Sequence, residues 1–465
     1  MSKIFFKRLS FNVIVFGLVL SFFSCKPYSA LDENLMETIE YKKSTPEWAK
    51  KSNIYEVNIR QFTPEGTFKA FQNHLPRLKK MGVEILWLMP IHPIGEKNRK
   101  GKLGSYYSIS NYQAVNPEFG TLDDFKNLVA EAHRLDMHII IDWVANHTSW
   151  DNVWIKEHAD WYTQDSLGNI IVPAETDWDD TADLNYDNPN LRKAMIESML
   201  FWVKNADIDG FRCDVAGMIP IDFWMHARKA IDQEKSDCFF LAEASEPELH
   251  KAFDMTYNWQ LKDIVNNIAK GKNDVNDLIQ HFENESKLFN KDDLRMQFIT
   301  NHDENTWSGS EYERLGAAPV DAFTVLTYTL PGMALTYNGQ EEPLTKRLRF
   351  FDKDTIVFKN YARNELITKL NKLKSKSKAL TSLSYKEGFL GLRNSEPKSI
   401  LSFIRKKRKK AVACVFNFTP KEQKFIIKDE IAGEFLPYVG EDIQFVSNKE
   451  ITLKAWSYSV LVKEK

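Results

Sequence analysis

The chain has few cysteines, and their positions argue against a disulfide scaffold. Only four occur among 465 residues, at Cys25, Cys213, Cys238 and Cys414. Cys213 and Cys238 lie on strands expected to be neighbours, but one comes late in its strand and the other early, so we expect no bridge between them. CxxC and HExxH spacings are also absent from the sequence. We therefore predict no disulfide framework and no zinc site.

The chain also lacks an excess of charge of either sign. Lysine and arginine number 62 against 64 aspartates and glutamates, for a formal net charge of -2. This balance gives no long-range attraction to nucleic acid or to an anionic lipid surface. Internal repeats and glycine-rich phosphate loops are absent as well. A hydrophobic content of 43% is enough for a large core, so we expect a globular protein whose partner is uncharged or weakly charged.

The N-terminus has the pattern of an export signal. Lys3, Lys7 and Arg8 precede an apolar run at residues 9–23, and Cys25 follows it closely. The run is shorter than the roughly 20 apolar residues of a spanning helix, so residues 1–24 are interpreted as a signal peptide. Cys25 resembles the lipid-acceptor cysteine of bacterial lipoproteins, which predicts an exported protein tethered to a membrane only through this residue, in the periplasm or at the cell surface. Secretion without an anchor is the alternative.

Strand-length apolar runs alternate with amphipathic segments through most of the chain. One such segment, residues 121–135, begins with a sequence that resembles a capping box at Thr121. Eight β/α units in succession predict a closed parallel barrel, the (β/α)8 TIM barrel of the α/β class, over residues 45–372. The predicted strands are 54–62, 85–90, 138–144, 210–215, 239–242, 253–257, 296–300 and 333–337.

Two regions depart from this alternation. Residues 149–186 follow the third strand without opening a helix, which predicts a small inserted lobe. Its aromatic residues, Trp154, Trp161, Tyr162 and Trp178, are expected to form mostly the core of the lobe itself. Residues 378–465 contain short alternating runs, which predict a C-terminal antiparallel β-sandwich domain. The basic cluster at residues 405–410 is interpreted as a solvated hairpin turn.

Three predicted strands end in carboxylates. Residues 210–216 (GFRCDVA) carry Arg212 and Asp214 on one face of a strand, Glu243 ends a second strand, and Asp303 ends a third. Strand ends meet at one face of a parallel barrel, so these side chains are expected to converge there. A structural ion pair between Arg212 and Asp214 is the simpler alternative. Several buried carboxylates repel one another, however, and favour a functional site.

The motifs resemble those of the α-amylase family of retaining glycoside hydrolases and transglycosylases. The four family motifs occur in order as DWVANH at 142–147, GFRCDVA at 210–216, LAE at 241–243 and NHD at 301–303. Further matches include residues 107–121, ADLN at 182–185 and YNGQE at 337–341. The resemblance implies the same barrel, inserted lobe and C-terminal β sandwich.

The resemblance also implies roles for particular residues. Asp214 would be the nucleophile, Glu243 the acid and then the base, and Asp303 the carboxylate that holds sugar hydroxyls. Arg212 is expected to keep Asp214 ionised by lowering its pKa, whereas Glu243 needs a raised pKa. The remaining site residues are Tyr107 as a stacking platform and His147 and His302 as hydrogen-bonding partners of the sugar, and Asp142 is expected to support the site from behind.

The sequence departs from the family at one place and leaves several properties open. Gly217 and Met218 stand where many relatives have a Lys-His pair, so the contacts to the leaving-group sugar are expected to differ from those of these relatives. No cofactor is expected, although Asn146 and Asp183 match positions that hold a structural calcium ion in relatives.

The expected substrate is an α-1,4-glucan or a maltooligosaccharide. A glucanotransferase, or a pullulan- or cyclodextrin-degrading relative, is an alternative function. A non-enzymatic sugar-binding homologue is a second alternative, which the retention of Asp214, Glu243 and Asp303 disfavours.

Overall fold

The computed structural model describes residues 34–463, so the predicted signal peptide and Cys25 lie outside the described residues. Eight parallel strands close into a barrel in the order β1-β10-β9-β8-β7-β6-β3-β2, which confirms the predicted fold class. Their apolar side chains are almost fully buried. The barrel strands are β1 (Ile54–Val57), β2 (Ile85–Leu88), β3 (His138–Trp143), β6 (Gly210–Cys213), β7 (Phe239–Ala242), β8 (Met255–Tyr257), β9 (Leu294–Gln297) and β10 (Met333–Tyr337).

Two predicted strands were too long or displaced. The first ends at Val57, and Ile59–Phe62 forms a helical turn, α1, instead of continuing the strand. The seventh predicted strand, at 296–300, is displaced, because β9 begins at Leu294 and ends at Gln297. Residues 298–303 therefore form a connection above the barrel rather than part of it. In both places buried apolar side chains continue beyond the strand, and periodicity alone cannot separate a strand from the loop that follows it.

Helices cover the outside of the barrel and connect its strands. Thr121 caps α4 in the predicted capping box, in which its hydroxyl accepts from the Asp124 N–H and the Asp124 carboxylate accepts from the Thr121 N–H. The helices are α1, α2 (Phe68–Gln72), α3 (Leu75–Met81), α4 (Leu122–Arg134), α5 (Pro189–Ala206), α6 (Ile221–Glu234), α7 (Trp259–Ala269), α8 (Val275–Leu288), α9 (Glu311–Leu315), α10 (Val320–Thr329) and α11 (Asn364–Lys376). Each helix within residues 34–463 is too short or too polar to cross a lipid bilayer.

The segment after β3 forms a small lobe of irregular loops around two short strands. These strands, β4 (His147–Ser149) and β5 (Thr181–Asp183), pair in antiparallel fashion. Trp161 and Tyr162 are buried between the loops and Trp154 is half-buried, so these three aromatic residues form the core of the lobe as expected. Trp178 differs, because it lines the cavity at the carboxyl ends of the strands.

The C-terminal region consists of antiparallel sheets, in agreement with the predicted β-sandwich class. A five-stranded sheet has the order β11-β12-β13-β17-β15, and β14 pairs with β16. Apolar residues from both sheets pack together, including Val415 and Phe425. The strands are β11 (Phe389–Gly391), β12 (Ile400–Lys407), β13 (Lys410–Asn417), β14 (Gln423–Ile426), β15 (Leu436–Gly440), β16 (Glu450–Leu453) and β17 (Tyr458–Lys463).

The basic cluster at residues 405–410 is only partly solvated. Its middle forms the expected hairpin turn between β12 and β13. Arg405, however, is fully buried, and its Nη1 and Nη2 donate hydrogen bonds to the carbonyl oxygens of Thr329 and Ser382. Arg405 therefore joins the C-terminal sheet to the carboxyl end of α10, where a cation is favoured by the helix dipole.

The three cysteines within the described range are buried. Cys213, Cys238 and Cys414 are free thiols, and each is surrounded by apolar side chains of the core. Burial raises the pKa of the Cys213 thiol well above its usual range. These cysteines therefore act as small apolar core residues rather than as reactive groups.

Candidate active site

A cavity of about 500 Å³ opens at the carboxyl ends of the barrel strands. Because all eight strands are parallel, the segments that follow them meet at this face. Six of the seven predicted site residues line the cavity, namely Tyr107, His147, Asp214, Glu243, His302 and Asp303. The seventh, Arg212, lies beneath it and is fully buried.

Arg212 joins three carboxylates from neighbouring strands. Its Nη1 donates to Asp142 Oδ1 and to Asp214 Oδ1, each at 2.8 Å. Its Nη2 lies 2.9 Å from Glu243 Oε2, and its Nε donates to the Tyr257 hydroxyl at 3.2 Å. A guanidinium is rigid and planar, so this one side chain holds the carboxylates of Asp214 and Glu243 beside each other.

Asp142 lies behind the cavity, where the sequence analysis expected a supporting residue. Its side chain is fully buried. In addition to the Arg212 contact, its Oδ2 accepts hydrogen bonds from Trp87 Nε1 at 3.0 Å and from the Tyr107 hydroxyl at 3.2 Å. Asp142 thereby orients both the guanidinium and the aromatic ring that faces the cavity.

Burial raises the pKa values of the two carboxyls that face each other over Arg212. The pKa of Glu243 rises to about 7 and that of Asp214 to about 6, and in both cases Arg212 opposes the effect of burial. Arg212 lowers the pKa of Asp214 as expected, but this effect is smaller than the rise in pKa caused by desolvation. The pKa of Asp214 is therefore raised overall rather than lowered as the sequence analysis expected.

The residue after Asp214 has an unusual backbone conformation. Val215 lies in the left-handed region, with φ 35° and ψ 45°, which is rare for a β-branched residue. Its N–H donates to Glu243 Oε2 at 2.9 Å. The sequence analysis did not single out Val215, and the pattern of residues gave no signal for this backbone contact.

His302 is held between two acidic side chains. Its Nδ1 lies 2.6 Å from Glu56 Oε1, and its Nε2 lies 2.8 Å from the Tyr107 hydroxyl and 3.3 Å from Asp303 Oδ1. Burial favours the neutral ring, but Asp303 and Glu56 outweigh this effect and raise the pKa of His302 to about 9. The sequence analysis missed Glu56. The available signal was an acidic residue within the apolar strand β1.

Aromatic side chains form the walls of the cavity beyond its floor. The Tyr107 and Phe350 rings are parallel, with centroids 6.2 Å apart and an angle of 6°, and Trp307 lies 5.3 Å from Phe350. Trp307 is 55% exposed, which is unusual for a side chain of this size. On the opposite wall Trp178 packs against His147 at 5.1 Å. The sequence analysis did not single out Trp307 or Phe350.

The two residues considered for calcium lie at the junction of the barrel and the lobe. Asn146 Nδ2 lies 3.3 Å from His147 Nδ1, and burial raises the pKa of Asp183, an effect that its hydrogen bond to Thr163 opposes. Within residues 34–463, there is no group of three or more His, Cys, Asp or Glu side chains that could hold a metal ion. The two side chains supply fewer than the roughly six oxygen ligands that calcium takes, so calcium binding stays a prediction.

Comparisons with known proteins agree with this architecture. One match is "Alpha-amylase 3" of Dictyoglomus thermophilum, 28% identical over 335 residues, which covers 63% of this chain and 64% of that protein. A maltosyltransferase of Rhodospirillum rubrum, named "Alpha-1,4-glucan:maltose-1-phosphate maltosyltransferase", is 33% identical over 213 residues, or 41% of this chain and 31% of that protein. The chain thus spans less than two thirds of the length of these curated relatives.

A solved structure covers more of the chain. The noncanonic maltogenic alpha-amylase AmyB from Thermotoga neapolitana aligns with a TM-score of 0.80 and 29% identity, over 89% of this chain and 99% of that one. The family model described as "Alpha amylase, catalytic domain" matches residues 40–387, a range that contains the whole barrel, the lobe and every residue of the candidate active site. The chain therefore belongs to the alpha-amylase family.

Proposed function

We propose that the protein is a retaining glycoside hydrolase that cleaves α-1,4-glucosidic bonds in starch-type glucans or maltooligosaccharides. The observation that carries this proposal is the contact of Arg212 with both Asp214 and Glu243 at the cavity floor. Retention requires one ionised carboxylate and one protonated carboxyl close together. In this proposal Glu243 carries the proton, because burial raises its pKa, and Asp214 carries the charge, because its Oδ1 accepts a hydrogen bond from the Arg212 guanidinium at 2.8 Å.

The reaction then proceeds in two displacements. An Asp214 oxygen attacks C1 of the sugar while Glu243 gives its proton to the glycosidic oxygen, so the C1–O bond breaks and the leaving sugar departs as an alcohol. Glu243, now a carboxylate, removes a proton from water, and the resulting hydroxide attacks C1 and releases Asp214. Asp303 accepts hydrogen bonds from sugar hydroxyls, and Tyr107 stacks on the ring that is being cleaved.

The walls of the cavity favour a substrate of several sugar units. The rings of Tyr107, Phe350 and Trp307 follow one another along the cavity lining, and Trp178 of the lobe lines the same cavity. Sugar rings have apolar faces that stack on aromatic side chains, while their hydroxyls bond to polar groups at the edge. A glucan chain uses this extended surface, whereas a disaccharide occupies only part of it.

Transfer to a sugar acceptor is the second candidate, because hydrolysis and transfer use the same carboxylates. Gly217 and Ala244, which follow Asp214 and Glu243 closely in the sequence, are small residues that lie beside each other. An added Cβ on Gly217 would lie 3.6 Å from the Ala244 Cβ and 3.5 Å from a Glu246 oxygen. Met218 is 48% exposed beside them. These small residues, and the transferase among the relatives, support keeping transfer as an alternative, together with pullulan or cyclodextrin cleavage and non-enzymatic sugar binding.

Product analysis tests the proposal. Wild type and Glu243→Gln are incubated with amylose, pullulan, cyclodextrin and maltotriose, and the products are separated by chromatography over time. The proposal expects maltooligosaccharides from amylose with wild type and a loss of roughly 10² to 10⁴ in rate with the variant. Products longer than the maltotriose supplied would favour transfer, and equal background rates in both proteins would favour a binding module.

We also propose that the mature protein is a lipoprotein anchored through Cys25, in the periplasm or at the cell surface. The support is the sequence pattern of basic residues, apolar run and cysteine. Metabolic labelling with a radioactive fatty acid should modify the wild type but not Cys25→Ser, and the variant should appear in the soluble fraction. Equal fractionation of the two proteins would contradict the anchor.

A further inference from the structure

Glu56 is a buried acidic residue of the barrel that the proposed chemistry does not use. It lies in strand β1, between apolar neighbours, with no exposed surface. Its Oε1 lies 2.6 Å from Nδ1 of His302, which is 246 positions away in the sequence. Its Oε2 is buried and has no hydrogen-bond partner among the described residues. A carboxylate is costly in such a place unless a cation faces it.

The groups around His302 decide whether its ring carries that positive charge. Glu56 faces Nδ1, and Asp303 lies 3.3 Å from Nε2. Arg212 acts in the opposite sense, and burial also disfavours the charged ring. Tyr107 contacts Nε2 through its hydroxyl. Two carboxylates therefore face the ring from two sides. Together they favour the charged ring more strongly than the Arg212 guanidinium and desolvation disfavour it.

A ring that is protonated on both nitrogens satisfies each of the hydrogen bonds around His302. A carboxylate of Glu56 accepts from Nδ1–H. The Tyr107 hydroxyl donates to Asp142 Oδ2, while Arg212 binds the other oxygen, Asp142 Oδ1. With its proton used in this way, the hydroxyl accepts from Nε2–H of His302. Both ring nitrogens are then donors, and Nε2–H is the one that faces the cavity beside Asp303.

We propose that Glu56 is a positioning residue that keeps His302 protonated on both ring nitrogens, so that Nε2–H, which Tyr107 accepts in the free protein, is a hydrogen-bond donor for a sugar hydroxyl in the cleavage subsite. This inference rests on the proposed function, because it gives the donor a role in that reaction. Glu56 itself touches neither the sugar nor the reacting carboxyls. Its effect passes through His302, in the way that a carboxylate behind a histidine fixes the protonation and orientation of the ring.

The first test measures the charge of His302 directly. The protein is labelled with ¹⁵N-histidine, the His302 signals are identified by their absence in His302→Asn, and the ring nitrogen shifts are followed from pH 5 to 10. The proposal expects a doubly protonated ring at pH 7 in wild type and a titration moved to lower pH in Glu56→Gln. A neutral ring in wild type, or an unchanged titration in the variant, would overturn it.

The second test asks whether Glu56 acts through His302. The kcat on soluble starch is measured for Glu56→Gln, His302→Asn and the double variant. We expect Glu56→Gln to lower kcat about tenfold in the wild-type background and to have almost no further effect when His302 is already absent. The same loss in both backgrounds would mean that Glu56 supports the barrel rather than the histidine.

Two controls distinguish a failure of the inference from a folding defect and from a failure of the proposed function. Glu285 is another buried glutamate, paired with Arg295 at 2.9 Å and outside the cavity lining. Glu285→Gln should lower the melting temperature without moving the His302 titration or the pH profile of kcat. If wild type lacks glycosidase turnover yet shows the charged ring, the proposed function fails while the pairing of Glu56 with His302 stands.

Discussion

The backbone N–H of Val215 donates a hydrogen bond to Oε2 of Glu243 across 2.9 Å. The same oxygen lies 2.9 Å from Arg212, so Glu243 is held by a neighbouring backbone as well as by a cation. Val215 itself lies in the left-handed region, so its backbone is strained at the point where its N–H meets the carboxyl. Strain of this kind persists where surrounding contacts impose it, and here it lies next to the proposed nucleophile.

Substituting this strained residue should stabilise the protein. Glycine adopts the left-handed region without steric cost, so we expect Val215→Gly to raise the free energy of unfolding by about 1 kcal/mol, measured by thermal unfolding. Val439 is also partly buried, but it lies in strand β15 with ordinary backbone angles. Val439→Gly should therefore be destabilising. A lower melting temperature for Val215→Gly would mean that the side chain matters more than the backbone strain.

The two carboxyls should respond differently to the leaving group. Fluoride departs without needing a proton, so Glu243→Gln should cleave α-maltosyl fluoride to a covalent intermediate at a rate near that of wild type. Asp214→Asn lacks the nucleophile and should be slower by a factor of about 10³ or more on both fluoride and starch. Rapid-quench measurements of fluoride release distinguish the variants. Equal impairment on fluoride would contradict the assigned roles.

The pH dependence of kcat/KM should have a narrow maximum. Activity requires ionised Asp214, whose pKa is about 6, and protonated Glu243, whose pKa is about 7. The rate is therefore lost as pH falls through the first value and as pH rises through the second, so we expect an optimum between them. With α-maltosyl fluoride, whose leaving group needs no proton, both wild type and Glu243→Gln should lack the alkaline decline of kcat/KM and keep the acidic one. A profile that is flat from pH 5 to 9 would be inconsistent with these roles.

Removing the exposed aromatic wall should weaken binding of long substrates. Trp307→Ala takes away a stacking surface of about 0.5 to 1.5 kcal/mol, so we expect KM for maltoheptaose to rise severalfold while KM for maltotriose changes less. Trp456 is a partly buried tryptophan of the C-terminal domain, and Trp456→Ala serves as the control. Equal KM changes for both substrates would mean that Trp307 contacts no distant sugar.

Calcium binding can be tested through stability. If Asn146 and Asp183 hold the ion, a chelator should lower the melting temperature and added calcium should restore it, because a ligand that binds only the folded state stabilises it. Asn146→Ala should remove most of this calcium response. An unchanged melting temperature in chelator and in excess calcium would assign Asn146 and Asp183 to hydrogen bonding within the lobe.

The sequence was sufficient for the barrel and for the residues that reach its open face. Alternating apolar and amphipathic segments specify parallel strands, and parallel strands bring Asp214, Glu243 and Asp303 to one end. The same periodicity could not set where strands end, since buried residues continue past Val57 and Gln297. Local patterns predict the type of an element better than its limits.

Contacts between distant parts of the chain were decided only by the tertiary structure. Glu56 meets His302 and Trp307 meets Phe350 because the barrel closes and its loops fold over one face. The raised pKa of Asp214 likewise depends on how deeply the carboxyl is buried. The order of residues sets which ionisable groups are available. The charge of each group depends on its burial and on its distance from remote side chains, and these are defined only once the chain has folded.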